Sequence, residues 1–477
     1  MLSLVLPARS AEPSGVAQVV AVHDTSSNPF LLPQSGKEIG DPFPEYWDGV
    51  WHIYALRSDL RTVLHFTSKD LVKWNEHKPA MVGKGIATGT VVRHGGKFYM
   101  FYTDAGPQTI RLVVSDNPWA FDFTKSKLVA QADKKVYQLS RRKFRDCYVF
   151  HNKTEKLWWM LVEATSDGAV AAGLFKSKDL LNWKLHDPIF KDKTRRHGSC
   201  PQVFRQGESW YLTCLDYGTW YYAADSVYGP WKLKGQYHSR HFTAASRFAT
   251  DGKRRLCWGF FTRHKTPESK RGGYGGPLGV GREMVFSAAG SLGVRPLSEL
   301  IAEIRKPPRN GKLFDCAKPL SGKWEIDAPK QELRYAGGGR GVLLLDLPEK
   351  NPDYYFEAEI ELSAPKSKAE VIVRTSEKLD RGYRIAIEPE KKKIAIRQAK
   401  SGGGVFNEKD FILTGGRTVK LQTFVWGNQI EAFVDGRTSL SARVLDRSGH
   451  KVAIETTGRS ATIIKPLLHY FKYKKDK

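Results

Sequence analysis

The sequence predicts an all-β protein in which a five-bladed β-propeller is followed by a β-sandwich domain. In the first part of the chain, a unit of roughly 45 to 60 residues repeats, as in propellers and solenoids. Each unit contains a hairpin in which a short turn signal separates two runs rich in aromatic residues. After residue 311 the repeat stops, and longer strands of alternating polar and apolar residues begin. The repeat indicates the fold and leaves the function open.

The blades are identified by their hairpins, whose turns mostly contain Asp-Gly, Gly-Gly or a single glycine. The five hairpins occupy residues 46–54, 93–101, 152–159, 205–212 and 250–258. The outer halves of the units repeat as well, since residues 66–74 closely resemble residues 175–183. Four strands in each of five units give a five-bladed propeller.

The chain divides into four predicted segments. Residues 1–33 form a lead-in, whose first residues resemble the remnant of a signal peptide that lacks a basic start. This resemblance predicts an extracellular or periplasmic protein. The propeller spans residues 34–300, with a short helical stretch near its end, and a proline-rich linker spans residues 301–311. The sandwich spans residues 312–477.

Composition narrows the class of protein. Of the 477 residues, 41% are hydrophobic and 12% are aromatic, so the chain can build a large core. No window approaches about 18 consecutive apolar residues, so no transmembrane helix is expected. The cysteines are widely spaced and predict neither a disulfide framework nor a metal site; they are Cys147, Cys200, Cys214, Cys257 and Cys316. We expect no cofactor.

The net charge of +26 raises nucleic acid as a partner. Against this partner, the sequence shows no helix-turn-helix, no zinc-finger spacing and no RNA-binding strand motif. We therefore expect neither a nucleic-acid nor a membrane partner, and the oligomeric state stays open.

Candidate site residues follow from propeller geometry. The first strand of each blade lines the central channel, so the residues just before it surround one mouth of the channel. These inner positions are Asp41, Ala87–Thr88, Asp146, Ser199 and Ala244. The second strand returns to the same face, where its last residues are Arg57, Asp104, Glu163, Asp216 and Arg263.

Two inner carboxylates, Asp41 and Asp146, form the kind of pair that a glycosidase uses. Each also has a structural interpretation: Asp41 could cap a turn before Pro42, and Asp146 could form an ion pair with Arg145. The recurrence of the arrangement along the chain favours the functional interpretation.

The motifs at these positions resemble glycoside hydrolase family 32, the invertases, levanases and inulinases that act on β-fructofuranosides. The resemblance extends from about Gly40 to Pro296 and continues into the sandwich. Gly40-Asp41-Pro42 resembles the family's Asn-Asp-Pro element, which implies that Asp41 is the nucleophile. Arg145-Asp146-Cys147 resembles its Arg-Asp-Pro element, which implies that Asp146 holds sugar hydroxyls in the transition state. Arg282-Glu283 and residues 290–296 resemble the family's fifth blade.

One departure affects the expected chemistry. The family's Glu-Cys-Pro element supplies the acid/base, and the corresponding residues here are Ser199-Cys200-Pro201. Loss of a general acid typically slows catalysis about 10²–10⁴-fold. Another acid could act instead, and the candidates on the same face are Glu163, Asp216 and Asp104. Alternatively, the leaving group needs no proton, or the protein is a catalytically impaired glycan-binding protein.

Basic residues precede or flank several inner strands, at residues 141–143, 191–197, 240–241 and 270–271. Such runs are ordinarily solvated loops, but their clustering on one face indicates an anionic saccharide. The sequence thus predicts a retaining glycoside hydrolase that acts on a β-fructofuranoside-like oligo- or polysaccharide. The predicted catalytic residues are Asp41, Asp146 and Glu163. The predicted substrate-binding residues are Arg145, Ser199, His197, Asp216, Asp104 and Glu283.

Overall fold

The computed structural model of the chain describes residues 17–138, 143–243, 247–262, 268, 273–306, 313–346, 350–362, 366–400, 402–411 and 418–471. These residues form five small antiparallel sheets and a two-stranded ribbon, followed by one large sheet. Within these ranges, no helix is long and apolar enough to span a lipid bilayer.

The first three sheets are blades one to three, and in blades two and three the strands run outward from the channel in chain order. Blade one contains β1 (Val19–Asp24), β2 (Ile39–Trp47), β3 (Val50–Arg57), β4 (Thr62–Ser68), β5 (Lys73–His77) and β6 (Met81–Val82). Blade two contains β7 (Ile86–His94), β8 (Lys97–Asp104), β9 (Thr109–Ser115) and β10 (Lys127–Ala130), with a 3₁₀ turn at Phe123–Lys125. Blade three contains β11 (Arg145–Asn152), β12 (Leu157–Ser166), β13 (Ala169–Ser177) and β14 (Lys184–Asp192).

Blades four and five complete the ring. Blade four contains β15 (Ser199–Gln206), β16 (Ser209–Leu215), β17 (Thr219–Ala224) and β18 (Lys232–His238). A two-stranded ribbon pairs β19 (Phe242–Thr243) with β22 (Phe260–Phe261). Blade five contains β20 (Phe248–Thr250), β21 (Arg255–Cys257), β23 (Arg282–Phe286) and β24 (Leu292–Pro296). The predicted propeller is therefore confirmed, with five sheets of at least four strands.

Two segments differ from the sequence-based boundaries. The predicted lead-in contains β1, which pairs with β5 and so extends the outer edge of blade one. The helix α1 (Ser298–Ile304) runs into the predicted linker and buries Leu300, Ile301 and Ile304. The helix buries apolar surface, whereas the valines of β1 are exposed. The repeat rule predicts neither segment, because it describes neither edge strands nor connections.

Apolar clusters hold neighbouring blades together. One cluster packs β2–β4 against β7–β9, a second packs blade two against blade three, and a third packs blade three against blade four. The largest cluster joins blades four, five and one with α1 and the sandwich. The ring also closes through the backbone, because Leu31 bridges to Leu278 and Ile39 bridges to Gly276.

After α1, the chain forms one large, nearly closed sheet with the character of a β-sandwich. Its strands are β25 (Ala317–Ser321), β26 (Trp324–Asp327), β27 (Glu332–Leu345), β28 (Tyr354–Leu362), β29 (Lys368–Thr375), β30 (Tyr383–Glu388), β31 (Lys393–Gln398), β32 (Val405–Asp410), β33 (Thr418–Trp426), β34 (Gln429–Val434), β35 (Thr438–Arg443) and β36 (Lys451–Tyr470). The long β36 pairs with β27, β28 and β29, and so connects the two halves of the sheet. Alternate residues of these strands fill one extended apolar core.

The propeller and the sandwich meet around a buried ion pair. Arg282 of blade five donates to Glu431 of β34, and both side chains are fully buried. The guanidinium lies 3.6 Å from the centroid of the Phe242 ring. A second oxygen of Glu431 accepts from the backbone N–H of Val280 at 2.7 Å. The sandwich therefore supplies the counter-charge for an arginine that the propeller buries.

Candidate active site

Three inner strands begin with the same local distortion. Near its first residue, each of β2, β11 and β15 has a register shift, where two residues bulge against the partner strand. The bulge residue has a left-handed backbone in all three: φ is 43° at Asp41, 59° at Asp146 and 51° at Cys200. This conformation strains a non-glycine residue, and such strain is concentrated at functional sites. Asp41 and Asp146 thus occupy equivalent positions on blades one and three.

Asp41 is held by two neighbouring hydroxyl groups. Thr88 of β7 donates from Oγ1 to Oδ2 of Asp41 at 2.6 Å. The hydroxyl of Tyr274, which reaches in from the segment before blade five closes, is a second hydrogen-bond partner. Burial raises the pKa of Asp41, although both hydrogen bonds and the charges of Arg145 and Arg247 oppose the rise.

Gly40 makes room for this tyrosine. A Cβ atom at Gly40 would lie 2.7 Å from both Cζ and the hydroxyl oxygen of Tyr274. The ring of Tyr274 also packs against Phe260, with the ring centroids 5.4 Å apart. Residue 40 is the position where the resembled family's motif has asparagine. The glycine and the tyrosine therefore form one steric unit beside Asp41.

Asp146 lies among charges of both signs. Its pKa is raised to about 6, mainly by burial and further by the negative charges of Glu163 and Asp41, while Arg145 opposes the rise. Its Oδ2 accepts from the backbone N–H of Cys200 at 3.3 Å, and its own N–H donates to Oγ1 of Thr103 at 2.9 Å. Thr103 in turn donates from Oγ1 to the carbonyl oxygen of Thr88, the residue whose hydroxyl holds Asp41, so a short chain of hydrogen bonds links the two inner carboxylates.

Glu163 lies directly behind the position of the missing acid. It faces Arg145 across the β11–β12 pair, is fully buried, and accepts from Nε of Arg145 at 2.7 Å. Ser199 donates from Oγ to Oε2 of Glu163 at 2.8 Å, and the Gly198 N–H lies 3.3 Å from Oε1. The serine hydroxyl thus connects the channel mouth with a carboxylate on β12, the second strand of blade three.

Arg247 supports the site from blade five. Its Nη2 donates to the carbonyl oxygens of Asp146 and Cys147 at 2.7 and 2.8 Å, which holds the strained backbone of the bulge. The guanidinium also lies 5.4 Å from the centroid of the Tyr148 ring. Arg247 is 2% exposed, and its charge opposes the pKa rise of both Asp41 and Asp146. It is therefore a buried cation that serves both inner carboxylates.

Cations and aromatic rings form a rim beside blade four. Arg240 lies 5.4 Å from the centroid of the Tyr217 ring, and His197 packs edge-on against the same ring. Arg195 stacks 3.6 Å from the centroid of the Trp220 ring. Tyr217 is 48% exposed, and Arg240 is exposed as well. This rim offers stacking surface and positive charge to a solvent-borne ligand.

The remaining predicted residues differ in their placement. Asp216 follows β16 near the rim, where Oδ2 accepts from the Arg196 N–H at 3.3 Å. Asp104 ends β8, and its Oδ1 accepts from the N–H of Gly106 at 3.3 Å within a turn. Glu283 lies on the third strand of blade five and pairs with Arg295, with both Oε atoms 3.0 Å from Nη2. The structure does not bring Glu283 to the inner carboxylates. Ala244, Arg263 and the basic residues 141–142 and 270–271 lie outside the described residues.

Sequence reasoning missed Tyr274 and Arg247. Tyr274 lies on no predicted inner strand, and it reaches Asp41 only because the chain returns to blade one through the Ile39–Gly276 bridge. Arg247 immediately precedes β20, so the rule for inner positions, shifted by three residues from Ala244, could have found it. Among the described residues, no three His, Cys, Asp or Glu side chains are grouped to hold a metal ion.

A five-bladed propeller with carboxylates at the starts of its inner strands is the framework of a glycoside hydrolase. The chain belongs to glycosyl hydrolases family 32, whose N-terminal domain description matches residues 43–296 and whose C-terminal description matches residues 328–468. The first match begins two residues after Asp41, so the assignment of Asp41 to the site depends on its structural equivalence with Asp146. Members of this family are glycoside hydrolases.

Individual relatives are distant. A β-fructofuranosidase, insoluble isoenzyme 4, of Oryza sativa subsp. japonica is 27% identical over 187 residues, which cover 35% of this chain and 32% of the relative. The chain thus spans about a third of the length of this curated relative. The structure of fructan 1-exohydrolase IIa from Cichorium intybus with 1-kestose aligns with a TM-score of 0.70 at 14% identity, covering 94% of this chain and 98% of that one. Sucrose-6-phosphate hydrolase from Lactobacillus gasseri gives a TM-score of 0.67 at 15% identity, covering 94% of each chain. These structural matches show the shared fold.

Proposed function

We propose that this protein is a retaining glycoside hydrolase that cleaves a β-fructofuranoside-like saccharide bearing an anionic group. The observation that carries the proposal is the equivalence of Asp41 and Asp146, which occupy the same strained bulge on blades one and three. Asp41 is the nucleophile, and its carboxylate attacks the anomeric carbon of the sugar. Asp146 accepts hydrogen bonds from sugar hydroxyls, which strengthen as positive charge develops on the ring.

Glu163 and Ser199 together replace the family's acid/base. In the first step, protonated Glu163 gives its proton to Oγ of Ser199, while the serine proton passes to the departing glycosidic oxygen. The bond from the anomeric carbon to that oxygen breaks as the bond to Asp41 forms. In the second step, water attacks the same carbon, its proton returns through Ser199 to Glu163, and Asp41 is released. The 2.8 Å contact between Ser199 and Glu163 supports this path.

Blade four supports the anionic part of the substrate. The exposed Arg240, the stacked Arg195 and the half-buried His197 lie around Tyr217 and Trp220 beside Ser199. An anionic leaving group also requires less protonation as it departs, which suits a site whose acid acts through a relay. Exposed charges are screened over about 8–10 Å at physiological salt, so activity on a charged substrate should fall as salt increases.

The test is hydrolysis of sucrose, 1-kestose and sucrose 6-phosphate by the full chain and by Glu163→Gln, Ser199→Ala and Ser199→Glu. Loss of the relay acid should lower kcat by about 10²–10⁴-fold in Glu163→Gln. Ser199→Glu should hinder turnover, because its carboxylate would crowd Glu163. The matched control is Glu283→Gln, which removes another Glu–Arg pair of the propeller without touching the inner carboxylates.

The assignment is refuted if Glu163→Gln retains full activity on a substrate that the native chain cleaves. A large increase in turnover in Ser199→Glu would also count against the relay. It would show that the site still accommodates a direct acid at residue 199. Sucrose 6-phosphate cleaved no better than sucrose at low salt would remove the anionic group from the proposal.

A glycan-binding protein is the second candidate function, and two observations favour it. The buried carboxylate of Glu163 forms an ion pair with the half-buried Arg145, so protonating this carboxylate breaks that pair. In addition, the Tyr274 hydroxyl already occupies one hydrogen-bonding position on Asp41. This candidate predicts saccharide affinity without turnover, even for aryl furanosides with acidic leaving groups, and unchanged affinity in Asp41→Asn.

A further inference from the structure

The sandwich contains a cleft of about 650 Å³ that lies apart from the propeller site. Its floor is the face of the sheet where β36, β29, β30 and β31 run side by side. Its walls are formed by the turn after β29, which carries Lys378, and by the turn after β31, which carries Lys400. The nearby Gly402 has φ of 67°, and a Cβ atom added there would meet nothing within 4 Å.

The cleft carries an excess of positive charge. Six cationic side chains and three carboxylates line it, an excess of three positive charges. The carboxylates are already neutralised: Glu455 accepts from Arg340 at 2.9 Å and from Arg384 at 2.8 Å, and Glu377 pairs with Lys451 at 2.8 Å. Arg397 is paired as well, with Glu388 at 2.5 Å, so the charge left for a ligand is that of Lys378 and Lys400.

The register of the sheet explains this arrangement. Glu370 and Glu455 lie directly opposite each other on β29 and β36, where two negative charges would repel. Arg384, on the neighbouring β30, donates from Nη1 to both, at 2.5 Å to Glu370 and 2.8 Å to Glu455. This ion network is partly buried, so it fixes the floor of the cleft. The cations on the walls are then set apart from it.

The lysines of the two walls have no such partner. Among the described residues, neither Lys378 nor Lys400 has a carboxylate within ion-pair distance, and both are exposed. Between them, Leu379 and Ala399 contribute an apolar strip that packs on a small core cluster. Cations on both sides of an apolar strip suit a ligand that carries anionic groups on an apolar face.

We propose that this cleft is a second saccharide-binding site, which takes an acidic oligosaccharide carrying sulfate or carboxylate groups. The anionic groups contact Lys378 and Lys400, and the sugar ring lies over the apolar strip between them. The site binds saccharide and takes no part in bond cleavage. It stands independently of the proposed catalytic residues, because none of its residues belongs to the propeller.

The test is titration of the full chain with a sulfated dextran oligosaccharide at low salt, followed by calorimetry. The cleft variant is Lys378→Gln with Lys400→Gln, and the matched control is Lys134→Gln with Lys135→Gln, two exposed lysines of the propeller. Both double variants remove the same charge from exposed positions. We expect affinity to fall about tenfold in the cleft variant and less than about twofold in the control, as for two lost exposed charge contacts.

Four results would overturn the proposal. They are no binding by the native chain, equal weakening by both double variants, unchanged affinity in the cleft variant, and equally tight, equally cleft-dependent binding of single-stranded DNA. A further outcome is binding that Arg196→Gln with Arg240→Gln weakens and the cleft variant leaves unchanged. This outcome would place the acidic saccharide at the propeller rim alone. That last result rejects the second site and leaves the proposed function intact. Conversely, a chain without turnover whose binding requires the cleft lysines supports the second site alone.

Discussion

Substituting Gly40 by alanine should displace Tyr274 and so remove a hydrogen-bond partner of Asp41. The new methyl group would lie 2.7 Å from Cζ and from the hydroxyl oxygen of Tyr274, where carbon atoms prefer about 3.5–4.0 Å. The backbone at Gly40 is not left-handed, so alanine meets no conformational obstacle of its own. The phenol must therefore move, and its hydrogen bond to Asp41 is lost.

The expected cost can be worked out from that bond. A hydrogen bond to a charged group contributes about 1.5–3 kcal/mol, so we expect Gly40→Ala to lower the free energy of unfolding by about 2 kcal/mol. In a Tyr274→Ala background the same substitution meets no ring and should cost less than about 0.5 kcal/mol. The coupling energy of this double-mutant cycle should therefore be about 2 kcal/mol. Urea unfolding of the four proteins at pH 7 measures each value.

Two outcomes of this double-mutant cycle would contradict the prediction. Equal losses for Gly40→Ala in both backgrounds would show that the alanine acts on the backbone, with no link to Tyr274. A neutral Gly40→Ala in the native background would show that the pocket accommodates the methyl group, and the steric unit would not exist. Tyr274→Phe, which keeps the ring and removes the hydroxyl, separates the lost hydrogen bond from the lost packing.

Three further predictions concern single groups. Asp41→Asn should abolish turnover while leaving folding intact, as measured by the midpoint of urea unfolding, and full activity in this variant would exclude Asp41 as the nucleophile. Since the pKa of Asp146 is about 6, kcat/KM should increase as the pH rises through 6 and the carboxylate ionises, and an acid limb unchanged in Asp146→Asn would contradict this. Burial lowers the pKa of His52 to about 4, and also lowers the pKa of its stacked neighbours His65 and His77. These rings are neutral in the folded chain and protonate near pH 6.5 when the chain unfolds. Stability should therefore fall as the pH drops from 6.5 to 4, with about 3 kcal/mol of the loss due to His52. Urea unfolding of His52→Phe should lack that share, and an equal loss in the variant would refute the prediction.

The parts of the fold that repeat could be predicted from the sequence. Hairpin turns and aromatic runs recur at a fixed spacing, and local turn chemistry determines where each strand reverses. The inner positions followed from the same rule, and for blades one to three the return ends Arg57, Asp104 and Glu163 lie opposite the starts of β2, β7 and β11. The strand β1 escaped prediction because it joins an outer edge by pairing with residues 49 to 58 positions away in sequence.

The candidate site was only partly accessible to such reasoning. Asp41, Asp146, Glu163 and Ser199 are positioned by strands whose register the hairpins determine, so their neighbourhood could be inferred. Tyr274 could not, because its contact with Asp41 joins the start of blade one to the end of blade five through a segment without periodicity. Glu283 shows the opposite case: its place in a motif suggested a site residue, whereas its strand lies two away from the channel and its carboxylate binds Arg295.

The buried pair of Arg282 and Glu431 extends the contact between the two domains toward the candidate active site. The same Glu431 carboxylate holds the backbone of Val280, six residues after Tyr274, in the segment that bridges to Ile39 beside Asp41. Cutting the chain after the propeller would leave an arginine buried without its counter-ion, a loss of about 3–5 kcal/mol, and would free one end of that segment. The sandwich thus helps to hold the segment that places Tyr274 beside Asp41. We therefore expect the propeller alone to lose this arrangement, so that it cannot serve as a minimal enzyme.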